Sequence, residues 1–162
     1  MPTKIDYLST YLQDHRAGAA MGVNLSRRLA DENVGTVYED FLMLLARQIE
    51  EDVETLESIM ELFEVDRSTI KETGAKIGEK LGRLKPNEHL TSYSPLSRVH
   101  ELEMLSSGVK GKLALWDSLF EISDLDDRLD AQQLRALVER AENQLAGLRE
   151  HHRMAAVEAF GD

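Results

Sequence analysis

The sequence predicts an all-α protein, a bundle of about four long helices. Three observations predict it: apolar residues recur at steps of three and four along most of the chain, the only prolines are Pro2, Pro86 and Pro95, and helix-capping residues precede the periodic segments. At 162 residues the simplest organisation is a single domain over 1–162 with one hydrophobic core.

The first two helices are predicted from their caps and apolar stripes. The first runs from about Lys4 to Ala30, with Thr3 as its N-cap and Gly35 closing it. The second opens on a capping box formed by Thr36 and Glu39. The two stripes are Leu8, Leu12, His15, Ala19, Gly22, Leu25 and Leu29, and then Phe41, Leu45, Ile49, Leu56, Ile59 and Phe63.

The second half of the chain predicts one short helix and two long ones. The short helix covers about Ser68 to Leu84 and is stopped by Pro86. Ser94-Pro95, an N-cap followed by an N1 proline, begins the next helix, and Asp130 caps the last one. The long stripes are Val99, Leu102, Leu105, Val109, Leu113, Trp116 and Phe120, and then Leu134, Leu137, Ala141, Leu145, Leu148, His152, Ala155 and Ala159.

The connection between the second and third long helices is long enough to carry the chain back along the bundle. It covers Glu64 to Tyr93, whereas a simple up-down-up-down bundle needs only a short loop there. The sequence therefore predicts one crossover containing an additional helix, with the second and third long helices parallel.

Two segments resemble the ferritin-like superfamily. Leu45 to Leu56 is similar to that superfamily's second-helix pattern, in which a Glu and a His three residues later bind iron, and Leu148 to Ala156 is similar to the end of its last helix. The resemblance implies a ferritin-like four-helix bundle. Here Asp52 stands at the His position and Ile49 three residues before it, and the chain contains no Glu-x-x-His. The complete di-iron ligand set is therefore missing.

The candidate metal ligands are His15, Asp52, Glu142 and His152. Imidazole and carboxylate groups are the usual protein ligands of iron and other divalent metals. If the first and last helices run parallel, about 15 Å of helical rise separates the two histidines. They are therefore not expected to share one site.

The same construction places three charged residues level with His15. These are Asp52, Lys110 and Glu142, with Gln48 one turn from Asp52. Such a group is interpreted in three ways: as structural or solvent-facing side chains, as a metal-free polar cluster held by paired charges, or as a weak metal site. The first interpretation is favoured.

Glycines at helical spacing are the least ordinary feature of the sequence. Gly18 and Gly22 lie four apart, Gly74, Gly78 and Gly82 repeat at four, and Gly108 and Gly111 fall in the middle of a helix. Glycine inside a helix costs roughly 1 kcal/mol relative to alanine. Close packing of helices within the molecule is the first interpretation, and a homodimer seam or a groove for a partner or small ligand is the second.

Charge and composition exclude several functions. Thirty acidic residues against nineteen basic ones give a net charge of −11, so nucleic acid is an unexpected partner. Cysteine is absent, which excludes thiolate chemistry. The sequence predicts no membrane span and no signal peptide, and a cytoplasmic location is expected.

The function expected from the sequence is binding or self-association as a dimer, without enzymatic activity. No cofactor is expected. One alternative is a metal-binding or di-iron-type oxidoreductase or stress protein with atypical ligands, for which iron or another divalent metal is the cofactor. A second is a helical adaptor that binds a partner protein.

Overall fold

A computed structural model describes residues 1–65 and 92–161. Within these ranges the fold is all-helical, with four long helices: α1 (Lys4–Glu32), α2 (Glu39–Leu62), α3 (Pro95–Ile122) and α4 (Ala131–Phe160). A 3-10 turn, Ser123–Leu125, joins the last two. The short helix expected over 68–84 and the three glycines within it lie outside the described residues.

Three of the predicted helix starts are confirmed by their hydrogen bonds. The Thr3 hydroxyl accepts from the Asp6 amide, and the Asp6 carboxylate accepts from the Thr3 amide at 2.6 Å, which makes a complete capping box. The Ser94 hydroxyl accepts from the Ser97 amide directly before the N1 proline. The Asp130 carboxylate accepts from the amides of residues 132 and 133. These side chains satisfy amides that the first helical turn leaves unpaired.

The predicted start of the second helix is wrong by two residues. Gly35 adopts a left-handed conformation, with φ of +77°, and closes a turn in which the Thr36 amide donates to the Asn33 carbonyl. Because this amide is already paired, Glu39 reaches past it to the amide of Gly35, at 2.7 Å. α2 therefore begins at Glu39, with Tyr38 as its N-cap.

Contacts across the bundle give the direction of each helix. α1 runs opposite to both α2 and α3, and α4 also runs opposite to both, so α2 and α3 point the same way. We call the end of the bundle at which α1 finishes and α3 begins the upper end. The pairs that establish this are Arg16–Glu57, Arg27–Glu50, Tyr11–Ser118, Arg28–Glu101, Tyr38–Glu158, Gln48–Gln144, Glu103–His152 and Lys112–Gln144.

The core follows the predicted apolar stripes in part, since Leu42, Met60, Leu115 and Leu119 are also fully buried although no stripe included them. Trp116 and the leucines around it fill the centre, and the half-buried Phe41 closes the sparsely packed side between α2 and α4 by lying against Gly147. No helix in the two described ranges combines the length and the apolar character that crossing a membrane requires. The largest side chains with less than 2% exposure are Trp116, Leu12, Leu29, Leu42, Leu45, Met60, Leu102, Leu105, Leu115, Leu119, Leu134 and Leu148.

Within residues 1–65 and 92–161, no contact supports the expectation that the glycine pairs of α1 and α3 pack closely inside the molecule. A Cβ atom added at Gly18, Gly22, Gly108 or Gly111 would have no neighbouring atom within 4 Å. The tight glycine is Gly147 of α4, where an added Cβ would lie 2.3 Å from the Phe41 ring.

Candidate functional site

A charged side chain lies in the middle of the hydrophobic core. Asp52 of α2 is 2% exposed, and three helices meet at its carboxylate. Lys112 of α3 donates from Nζ to Oδ2 at 2.5 Å, and Arg140 of α4 donates from Nη1 to Oδ1 at 3.1 Å. A buried carboxylate needs such partners because losing its hydration costs several kcal/mol.

Two glutamines complete this group of side chains. Gln144 of α4 accepts from Lys112 Nζ at 2.6 Å through Oε1, and its amide nitrogen lies 3.2 Å from Gln48 Oε1 and 3.4 Å from Asp52 Oδ2. Gln48, Asp52, Lys112, Arg140 and Gln144 are called the Asp52 network below.

The charges of the Asp52 network balance once Glu51, which lies beside it, is included. Arg140 also donates to Glu51 Oε2 at 3.1 Å, at the surface of the bundle, so two cations face two carboxylates. Burial lowers the pKa of the Lys112 ammonium, the adjacent Asp52 carboxylate raises it again, and Arg140 lowers it. An ammonium and a guanidinium therefore occupy the carboxylate oxygens that would otherwise be offered to a metal cation.

The structure places the four candidate metal ligands apart from one another. Asp52 binds cations and an amide, as described, and Glu142 is exposed on α4. His15 packs edge-on against Tyr11, with ring centroids 4.5 Å apart, and burial lowers its pKa. His152 lies 3.0 Å from Glu103. Within 1–65 and 92–161, no three His, Asp or Glu side chains are grouped so that they could hold a metal ion.

The metal-free polar cluster was predicted with two right members and three wrong ones. Arg140 was not predicted, and His15, the residue with which the others were expected to be level, packs against Tyr11 and is not part of the cluster. Asp52 and Gln48 belong to it, but Lys112 takes the place expected for Lys110, and Gln144 the place expected for Glu142. The errors at Lys110 and Glu142 are of two residues each, which turns a helical side chain by about 200° to the opposite face. The sequence held a signal for the right members, since Lys112 and Gln144 both fall within apolar stripes.

A second polar cluster ties the four helices together at the upper end. Arg98 of α3 donates from Nε to Asn33 Oδ1 at 2.5 Å and from Nη1 to Glu158 Oε2 at 2.7 Å. Its guanidinium lies over the Tyr38 ring, 4.4 Å from the centroid. Asn33 is fully buried and also donates to the Tyr93 hydroxyl at 2.9 Å. These five residues are the Arg98 cluster.

The four open glycines lie level with one another on α1 and α3. The Tyr11–Ser118 hydrogen bond fixes the alignment of these antiparallel helices. Seven residues further along α1 is Gly18, and seven residues back along α3 is Gly111. Seven residues are close to two turns, so both lie on the helix faces that make this contact.

The other two glycines are placed by the same kind of spacing. Gly22 follows Gly18 by four residues, about one turn, and therefore lies on the same face of α1. Gly108 lies seven residues along α3 from Glu101, which pairs with Arg28 of α1. We call Gly18, Gly22, Gly108 and Gly111 together the glycine face. No atom of residues 1–65 and 92–161 covers these positions.

Comparisons with protein-family models, with curated proteins and with solved structures found no match.

Proposed function

We propose that this chain is a ferritin-like bundle protein that acts by self-association through the glycine face, without a dinuclear metal centre. The shared direction of α2 and α3 supports the ferritin-like order, since one-crossover bundles have this arrangement. Neither proposal depends on a match to a known protein.

The open space above the glycine face carries the proposal of association. Four glycines in helix interiors cost roughly 1 kcal/mol each relative to alanine, and no contact within the described residues offsets that cost. A helix surface without Cβ atoms permits close approach by another backbone. A second copy of the chain, which presents the same smooth surface, fits this description; a partner helix is the alternative occupant.

Light scattering coupled to size exclusion tests self-association. We expect the wild-type protein to shift from monomer towards dimer as its concentration rises. Gly18→Leu places a side chain over the glycine face and should leave the protein folded but monomeric. Ala146→Leu, on an exposed position of α4, is the matched control and should still dimerise. A wild-type protein that stays monomeric at the highest concentration rules self-association out.

Replacing open glycines with alanine should stabilise the monomer. Gly22→Ala and Gly108→Ala should each raise the free energy of unfolding by about 0.5–1 kcal/mol, because the added methyl meets no atom and helix propensity improves. Urea denaturation at low protein concentration measures this change. Gly147→Ala is the contrasting variant: it should destabilise the protein, because its Cβ would overlap the Phe41 ring. Loss of stability in the first two variants would show that their surface is covered.

The Asp52 network supports the proposal that no dinuclear centre forms. Metal analysis of protein purified without a histidine tag should give well under one equivalent of iron, manganese or zinc. Stoichiometric metal that disappears in the His15→Ala variant would instead favour the metal-binding or oxidoreductase function with atypical ligands.

A further inference from the structure

One carboxylate at the upper end of the bundle has an oxygen without a partner. Glu101 of α3 is 9% exposed. Its Oε1 pairs with Arg28 Nε of α1 at 3.0 Å, whereas its Oε2 is buried and has no hydrogen-bond partner. In the described part of the chain, Trp116 Nε1 is the other buried side-chain polar atom of this kind. Unlike an indole, a carboxyl group can escape this cost by taking up a proton.

We propose that protonation of the Glu101 carboxyl group controls whether the end of α1 stays packed against the beginning of α3. When Glu101 is neutral, the junction stays closed. When Glu101 is ionised, its carboxylate moves towards solvent to regain hydration, and the junction opens. This inference is independent of the proposed self-association.

The surroundings of Glu101 connect it to the rest of the upper end. Burial and the nearby Glu101 carboxylate raise the pKa of Tyr93. The Tyr93 hydroxyl accepts from the buried Asn33, and Asn33 accepts from Arg98. A movement of the Glu101 side chain is therefore transmitted to the Arg98 cluster. Such a movement would first loosen the packing of the initial turns of α3.

The charged groups around Glu101 act in opposite directions. Burial raises the pKa of this carboxyl group, Arg28 of α1 lowers it, Glu32 of α1 raises it, and the nearby Tyr93 hydroxyl lowers it. Arg98, on the same helix, is already paired with Glu158 of α4. At the beginning of α2, the titratable member of the Arg98 cluster is Tyr38, whose pKa is raised by burial.

The direction of the pH dependence follows from this raised pKa. A carboxyl group whose pKa is higher in the folded protein contributes its full stabilisation below its ordinary pKa, here 4.5. That contribution is lost as the pH rises through the raised pKa. The junction is therefore expected to be closed most firmly in acid and to loosen towards neutral pH.

Glu101→Gln, which is neutral at every pH, tests the proposal. Native-state hydrogen exchange, corrected for intrinsic rates, should show that amides 96–102 are less protected in wild type than in the variant at pH 7.5. The difference should vanish near pH 4. Each unit by which the pKa is raised corresponds to about a tenfold difference in protection. Glu121→Gln, on an exposed position of the same helix, should match wild type throughout.

Two results would contradict the proposed role of Glu101. The first is equal or lower protection of amides 96–102 in Glu101→Gln than in wild type at pH 7.5. The second is a change in protection spread evenly over all four helices, which would mean that Glu101 affects global stability alone. Carbon-13 NMR of the Glu101 carboxyl carbon provides a separate check. If its titration midpoint lies at or below that of Glu121, Glu101 does not retain the proton on which the mechanism depends.

Discussion

Lys112→Met is expected to lower the free energy of unfolding by about 3–5 kcal/mol, because it leaves the buried Asp52 carboxylate without its closest cation. Methionine preserves most of the length and apolar character of the lysine side chain, so the loss is attributable to the charge. Gln144 also loses the donor to its Oε1. Urea denaturation monitored by circular dichroism measures the effect.

Two further variants make the Lys112 result specific. Lys110→Met changes an exposed lysine two residues away and should alter stability by at most about 0.5 kcal/mol. The double variant Asp52→Leu with Lys112→Met should be more stable than Lys112→Met alone, because the core then contains no carboxylate that has lost its closest cation. If Lys112→Met is as stable as Lys110→Met, the Asp52–Lys112 pair does not hold the centre of the bundle.

Helix faces could be predicted from the sequence because they depend on local spacing. A side chain at a step of three or four from Leu105 or Val109 lies on the same face wherever the helix is placed. This is why most of the core was identified, and why the Thr3, Ser94 and Asp130 caps were also found. The buried residues Leu42, Met60, Leu115 and Leu119 were missed, because the predicted stripes were drawn one residue to the side of them. Each of these features is decided within one or two helical turns.

Alignment between helices could not be predicted in the same way. Whether Asp52 meets Lys110 or Lys112 depends on how far α2 and α3 slide along each other and how each is rotated, and local spacing contains neither quantity. Stricter use of the stripe would have favoured Lys112 over Lys110. Three of the four helical neighbours of Lys112 are large apolar residues, Val109, Leu115 and Trp116, whereas Lys110 has one, Leu113.

Glycine packing shows the same limit. The paired glycines of α1 and α3 were noticed because they repeat, yet an added Cβ at each of them would meet nothing. Gly147 stands alone in its helix and attracted no attention, although it is the one against which Phe41 packs. A repeat reveals where side chains are missing, but the neighbour that fills the space is more than one hundred residues away in sequence.

Arg98→Met is expected to lower the free energy of unfolding by about 2–4 kcal/mol. The substitution leaves the Oδ1 of a fully buried asparagine, Asn33, without the donor that now lies 2.5 Å away, and an unsatisfied buried polar atom costs about 1–3 kcal/mol. It also removes the ion pair with Glu158 and the cation–π contact between the guanidinium and the Tyr38 ring. Thermal and urea unfolding of the purified variant measure the loss.

The geometry of the Arg98 side chain, as well as its charge, should matter for stability. Arg98→Lys keeps the positive charge but cannot donate in two fixed directions to Asn33 and Glu158 at once, so its stability should fall between wild type and Arg98→Met. Arg27→Met removes an exposed arginine paired with Glu50 and should cost less than about 1 kcal/mol. If Arg98→Met costs no more than Arg27→Met, the upper end is held by apolar packing and the Arg98 cluster contributes no net stability. Because four helices meet at this guanidinium, we expect instead that its loss lowers the unfolding temperature of the whole bundle in a single transition.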